Sequence, residues 1–141
     1  MRFNLLFQTS FLNLIFSLLV PFVSHSNELK YIFKSGSEGY NTFRIPSIIT
    51  TDSGVVLAFA EGRKNSSSDS GDIDLVLKRS TDGGKTWSDL IVIRDDSTNV
   101  CGNPSPVIDR KTGKIFLLST WNRGDDTESE IINMTSVDTR R

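Results

Sequence analysis

Cysteine and histidine are almost absent from this chain. Of its 141 residues one is a cysteine, Cys101, and one is a histidine, His25. A single cysteine excludes an internal disulfide and any Cys-rich zinc site, and Cys101 reads as a small buried apolar residue rather than a nucleophile. His25 falls in an N-terminal stretch that reads as a removable leader. The remainder would then have no histidine for a Ser-His-Asp triad or a His-ligated metal. A surplus of charge is missing too. The formal net charge is −1, which shows neither the basic footprint of a nucleic-acid binder nor a polybasic membrane patch, so any anion must be held by individually placed arginines. No stretch carries a convincing helical period. With 37% apolar and 23% charged residues, the chain has an ordinary globular balance and the length of one small domain.

Residues 1–26 have the composition of a secretory signal peptide. Arg2 supplies the positive start, Phe11–Val20 is the best apolar run, and Ser24-His25-Ser26 offers small residues for cleavage before Asn27. The competing reading is a membrane anchor. Gln8, Asn13 and Pro21 interrupt the run, which falls short of the ~20 clean apolar residues a span needs.

From Tyr31 onward the chain reads as short strands between turns. Tyr31–Lys34 is a possible first strand, Arg44–Thr50 a second and Val55–Glu61 a third. Asp52-Ser53-Gly54 turns the second back on itself. Ile73, Leu75 and Leu77 alternate with Asp74, Val76 and Lys78, the period of a strand with one buried face. Leu90–Ile93 follows, and then Pro106–Asp109 and Lys114–Trp121 pair around a turn at Arg110–Gly113. Asp138-Thr139-Arg140-Arg141 has the look of another strand. Strands at this spacing indicate an all-β sandwich, barrel or propeller.

Ser80-x-Asp82-x-Gly84-x-Thr86-Trp87 matches the Asp-box pattern at every fixed position. Each residue has a local task. Asp82 accepts backbone N–H groups and pins the turn, Gly84 takes a positive φ, and Trp87 covers the hairpin as an apolar plug. Asp82 therefore reads as a turn staple rather than a catalytic acid, and the motif speaks for a β-propeller more than for a reaction.

The order of motifs from Thr42 to Trp87 is more specific. Phe43-Arg44-Ile45-Pro46 is followed nineteen residues after Arg44 by Arg63 in Glu61-Gly62-Arg63, and six residues later by Asp69. With the Asp box next, this resembles the catalytic domain of sialidases (neuraminidases). Cys101-Gly102-Asn103-Pro104-Ser105-Pro106-Val107 and Leu118-Ser119-Thr120-Trp121-Asn122 resemble that family's second blade, so the likeness runs from about Tyr31 to the C-terminus.

The resemblance implies a six-bladed β-propeller, of which this chain would hold the first two to three blades, and an exo-α-sialidase that removes terminal sialic acid with retention. It implies Arg44 as one of three arginines gripping the sugar's carboxylate, a task suited to the planar, always-charged guanidinium. It implies Asp69 as proton donor, with Asp72 as runner-up. Arg63 would face the same pocket, and Asn103 would reach the sugar from the second blade. Read from the residues alone, Arg44 could be a surface arginine, Asp69 a solvated loop acid and Asn103 an Asn-Pro turn residue. Asp72 and Asp74 could repel charge near Asp69 or be hydrogen-bonded into the strand start. Trp121 could wall the pocket or sit in the core.

No metal and no cofactor are implied. The partners would be sialylated glycoproteins, gangliosides and oligosaccharides, met outside the cell, in the periplasm, in a lysosome or at a membrane. The family's Tyr nucleophile, an exception among glycosidases, has no match in Tyr31 or Tyr40. Arg79, Arg94, Arg110, Arg123, Arg140 and Arg141 have no assignable role as the other two arginines. Propeller blades in well-known repeats take about 40–45 residues, so residues 27–141 would make fewer than three, and that portion alone is expected not to turn over substrate. The alternative is a non-catalytic Asp-box propeller that binds glycans or protein. Asn65-Ser66-Ser67 and Asn133-Met134-Thr135 fit glycosylation sequons.

Overall fold

The computed structural model describes residues 29–140, and the leader-like stretch with His25 lies outside them. Seven strands and one short helix follow in order: β1 Thr42–Thr50, β2 Val56–Arg63, β3 Ile73–Ser80, β4 Ile91–Arg94, β5 Val100–Asp109, β6 Lys114–Asn122, α1 Glu128–Ile132 and β7 Thr139–Arg140. β1 to β4 form an antiparallel meander, and β5 to β7 form a second one. A single parallel pair, Ile73 with Val100, joins them. These are two neighbouring propeller blades, the second with three strands among the described residues.

The first strands of the two blades repeat one device. β1 bulges between Arg44 and Ser47, and β5 bulges between Gly102 and Ser105. Each bulge holds a residue with positive φ followed by proline: Ile45 (φ 51) before Pro46, and Asn103 (φ 52) before Pro104. The bulge frees both prolines from donating to the ladder. Asparagine tolerates the left-handed region, whereas a β-branched isoleucine there is strained, and a residue before proline is ordinarily extended. In this repeat Gly102, the last paired residue before the bulge, stands where the first blade has Arg44, and Asn122, paired with Val100, stands where it has Arg63, paired with Thr42.

The core of the first blade gathers Tyr40, Ala60 and Val76, with Phe33, Phe43 and Leu90 packed against it. The Tyr40 ring lies directly on Gly62, where a Cβ would come within 2.7 Å of two ring carbons, so only glycine fits. The Tyr40 hydroxyl donates to Asp74 Oδ2 at 2.6 Å. Tyr31–Lys34 is not a strand. Phe33 docks by its ring, 5.2 Å from the Phe43 centroid, and this segment needs no ladder.

β3 does not bury one face only. Ile73, Asp74, Leu75 and Val76 are all buried, because β2 and β4 flank the strand and β5 meets its start. The helix is also a departure from the all-β expectation. Five residues are too short to display a period, but Thr127 and Glu130 form a complete capping box, which stabilises so short a turn locally. β5 begins at Val100, well before Pro106, because its two prolines sit in or beside the bulge.

Candidate active site

Strand geometry brings the first charged groups together. Glu61 and Arg63 lie two apart on β2 and share a face, and antiparallel pairing sets Arg44 opposite Glu61. The loop after β2 then folds back over them. Arg63 Nη1 donates to the carbonyls of Ser67 and Ser68, both at 2.7 Å, which fixes the loop carrying Asp69. Asp69 Oδ1 lies 2.7 Å from Arg63 Nη2 and 3.1 Å from Arg44 Nη1, so one carboxylate oxygen bridges both arginines.

Their surroundings differ sharply. The Arg63 side chain is 3% exposed, whereas Arg44 and Asp69 are 45% and 64% exposed. The exposed Arg44–Asp69 pair contributes little to stability, about 0.2–1 kcal/mol, and is free to exchange partners. The buried Arg63 is charged at a cost, which its hydrogen bonds offset. Burial opposes its charge, but the bonds from Glu61 and Asp69 outweigh that and hold the guanidinium above its usual range.

Glu61, Arg63 and Asp69 line a cleft of ≈ 300 Å³ between the two blades, together with Ile45 and Asn103, and Arg44 reaches its edge through Asp69. Its far wall comes from Asn122 at the end of β6 and from Asp126, Glu128 and Ile131 around α1. Asp126 is buried and accepts from Ser136 Oγ at 2.6 Å. Asn103 turns its Nδ2 to Thr120 Oγ1 at 2.8 Å, and its backbone N–H meets Glu61 Oε1 at 2.9 Å. The structure thus brings Arg44, Arg63, Asp69 and Asn103 to one place. Sequence reasoning missed Glu61, although its two-residue spacing from Arg63 puts both on one face. It missed the α1 wall as well, although Thr127-x-x-Glu130 is a readable capping signal.

Asp72 and Asp74 turn away from Asp69. Lys64 Nζ sits 3.1 Å from Asp72, 3.2 Å from Asp74 and 3.5 Å from Asp95. The three carboxylates are spaced as a cation site would be, and the lysine ammonium supplies the positive charge there. Burial, the first cause, raises the Asp74 carboxyl above its ordinary range despite the bonds from Tyr40 and Lys64. Asp72 and Asp74 are thus engaged by Lys64, and Asp74 by Tyr40 as well, and neither lines the cleft.

The Asp box lies at the β3–β4 turn, and none of its five residues lines the cleft. Ser80 Oγ donates to Asp82 Oδ1 at 2.7 Å and accepts from the Gly84 N–H at 2.8 Å, while Thr86 gives Asp82 both its N–H and its hydroxyl. The Thr86 hydroxyl first, then its N–H, hold the Asp82 carboxyl well below the usual range. Gly84 has φ 88, and a Cβ there would stand 3.7 Å from Trp87 Cζ2, so the ring lies over the turn. Trp121 is half-buried and gives its Nε1–H to Asp96, away from the cleft lining. Cys101 is fully buried, and burial pushes its thiol up. Tyr31 is exposed and Tyr40 is held by Asp74; neither lines the cleft.

Residues 45–141 match the family described as BNR repeat-like domain. The chain is 36% identical over 119 residues to an exo-alpha-sialidase of Arthroderma benhamiae, a stretch covering 72% of this chain and 29% of that protein. An exo-alpha-sialidase of Aspergillus fumigatus is 40% identical over 90 residues, covering 60% and 22%. A sialidase of Clostridium perfringens is 36% identical over 106 residues, covering 71% and 28%. Among solved structures, the Hadza microbial sialidase Hz136 superposes with a TM-score of 0.59 at 32% identity, over 65% of this chain and 20% of that one. The NanB sialidase of Streptococcus pneumoniae gives 0.59 at 31%, over 67% and 18%. The chain spans under a third of the length of these curated relatives.

Proposed function

We propose, since this chain belongs to the BNR-repeat family of sialidases, that it carries the first part of an exo-α-sialidase site and serves hydrolysis of terminal sialic acid with retention. The observation that supports this best is Asp69 Oδ1 held between Arg44 and Arg63 at the mouth of the cleft. Two guanidiniums on one carboxylate oxygen make a seat for a carboxylate, and sialic acid brings one on its anomeric carbon. A sugar entering there competes with Asp69 for the arginines. Two carboxylates in one seat repel, which favours one of them keeping a proton. Asp69 is then the general acid that protonates the leaving oxygen, with Arg44 on the sugar's carboxylate, Arg63 beside it near the carboxylate or a ring hydroxyl, and the Asn103 side chain against the ring. The tyrosine nucleophile, its glutamate and two further arginines would come from outside residues 29–140.

Sialylated glycoproteins, gangliosides and oligosaccharides are the substrates this reading names, reached by export through residues 1–26. Among the described residues no helix is long and apolar enough to cross a membrane. Asp69→Asn in the full-length protein tests the assignment. A natural sialoside with a poor leaving group should lose at least ~10²-fold in kcat/KM, and an activated aryl sialoside much less. Equal loss on both substrates, or none, removes Asp69 as donor. Binding of sialosides by the unmutated protein without turnover would favour a glycan-binding propeller.

A further inference from the structure

We propose that Glu61 is a positioning residue that ties the sugar-facing groups of the two blades to each other, an inference that rests on the sialidase reading only for what those groups bind. Glu61 is 3% exposed, and its two oxygens divide between the blades. Oε2 accepts from Arg63 Nη2 at 2.6 Å and from Arg63 Nε at 3.1 Å, within the first blade. Oε1 accepts the backbone N–H of Asn103 at 2.9 Å, forty-two residues on in the second blade.

That N–H is available because of the bulge. The register of β5 skips from Gly102 to Ser105, and a φ of 52 at Asn103 turns its amide out of the ladder toward Glu61. Asn103 itself is exposed and the bond half-buried, but the Glu61 carboxylate is buried, and a buried carboxylate is tolerated only when its oxygens are satisfied, so the Asn103 N–H completes Glu61. The contact also requires glycine at the preceding position. A Cβ on Gly102 would stand 2.6 Å from Glu61 Oε1. Where the first blade puts Arg44, the second puts the one residue that admits this carboxylate.

Arg63 keeps other partners if Glu61 is lost, namely Asp69 and the carbonyls of Ser67 and Ser68. Among the described residues the Asn103 N–H donates to Glu61 alone, and the Asn103 side chain is tied to Thr120. The main consequence of removing Glu61 is therefore lost registration between Arg63 and Asn103, rather than loss of either blade. Glutamine cannot replace it. Its one acceptor oxygen can serve Arg63 or Asn103, and its NH2 meets a donor on the other side.

Two measurements on the full-length protein decide this. Amide hydrogen exchange at Asn103 should speed up about tenfold in Glu61→Gln, while amides of the β2–β3 ladder keep their protection. In kcat/KM on a sialoside, the effects of Arg63→Lys and Asn103→Ala should be non-additive by about threefold or more in the wild type and additive in Glu61→Gln. A general loss of stability would not remove that coupling selectively. Unchanged exchange at Asn103, or additive effects already in the wild type, overturns the clamp. If the unmutated protein neither binds nor cleaves sialosides, the sialidase reading falls, and the exchange at Asn103 by itself decides the role of Glu61.

Discussion

Tyr40→Phe removes one oxygen and leaves everything else in place. The ring keeps its seat on Gly62 and its contact with Phe43, so no cavity opens. What is lost is a 2.6 Å hydrogen bond to Asp74, between a tyrosine that is 6% exposed and a carboxylate that is 1% exposed. Hydrogen bonds to charged groups contribute about 1.5–3 kcal/mol, and here the carboxylate stays buried after its donor has gone, so a loss near ~2 kcal/mol is expected at pH 8. Urea unfolding of wild type and variant measures it.

A pH series makes the attribution specific. Burial first, and then the bond and charge of Asp74, push the Tyr40 hydroxyl well above the ordinary value of 10.0. A raised folded value means that the stabilisation is complete below the unfolded value and is lost as pH rises past it. Near pH 11 the unfolded tyrosine has released its proton and the folded one has not, so the wild type loses about 1.4 kcal/mol that the phenylalanine variant does not. Lys64 is raised too, with burial opposing and the bonds to Asp72 and Asp74 prevailing, but its alkaline loss is common to both proteins and cancels in the difference. The gap between wild type and variant should therefore shrink between pH 8 and pH 11. A variant within ~0.5 kcal/mol of wild type at pH 8, or a gap constant with pH, would refute the argument.

Other perturbations separate site from framework. Arg44→Lys keeps the charge but loses the planar fork, so kcat/KM on a sialoside should fall by at least about tenfold with little change in stability; full activity would remove Arg44 from the site. Asp82→Asn should lower stability near neutral pH and flatten the loss of stability as pH falls below about 4, because a depressed folded value is an advantage held above the unfolded one. Its kcat per folded molecule should stay at the wild-type value, since the box lies outside the cleft. Gly62→Ala should cost about 1–3 kcal/mol by driving a methyl into the Tyr40 ring, read as a lowered urea midpoint with an unchanged m-value.

β2 and β3 were legible because apolar runs are bounded by turn residues there, although the alternation in β3 suggested one buried face where the strand start buries both, and the Asp box was legible because each of its residues acts within one turn. Arg44, Arg63 and Asp69 were readable through a family likeness and a fixed spacing. The sheet register then converted that spacing into proximity. Tyr31–Lys34 misled because its apolar character reflects ring packing of the half-buried Phe33 rather than a strand face. The start of β5 was hidden by Pro104 and Pro106, which read as breakers until a bulge removes their need to donate. The role of Glu61 could not be read along the chain, since it lies in an oxygen shared with a backbone amide in another blade. Only three-dimensional pairing reveals it.

The paired bulges at Ile45 and Asn103 have a consequence for how such a protein can change. In a regular strand every side chain is committed by alternation to core or solvent, and a substitution is judged by that commitment. At the bulge the backbone contacts on either side carry the architecture, and the side chain is released from that constraint. Each of these two blades thereby owns one address that opens on the common cleft, where the framework fixes the backbone but not the chemistry of the side chain. One blade fills it with an apolar branched chain and the next with a primary amide. Recognition chemistry can therefore be rewritten one repeat at a time, by single-residue changes, while the hydrogen-bonded scaffold is inherited intact.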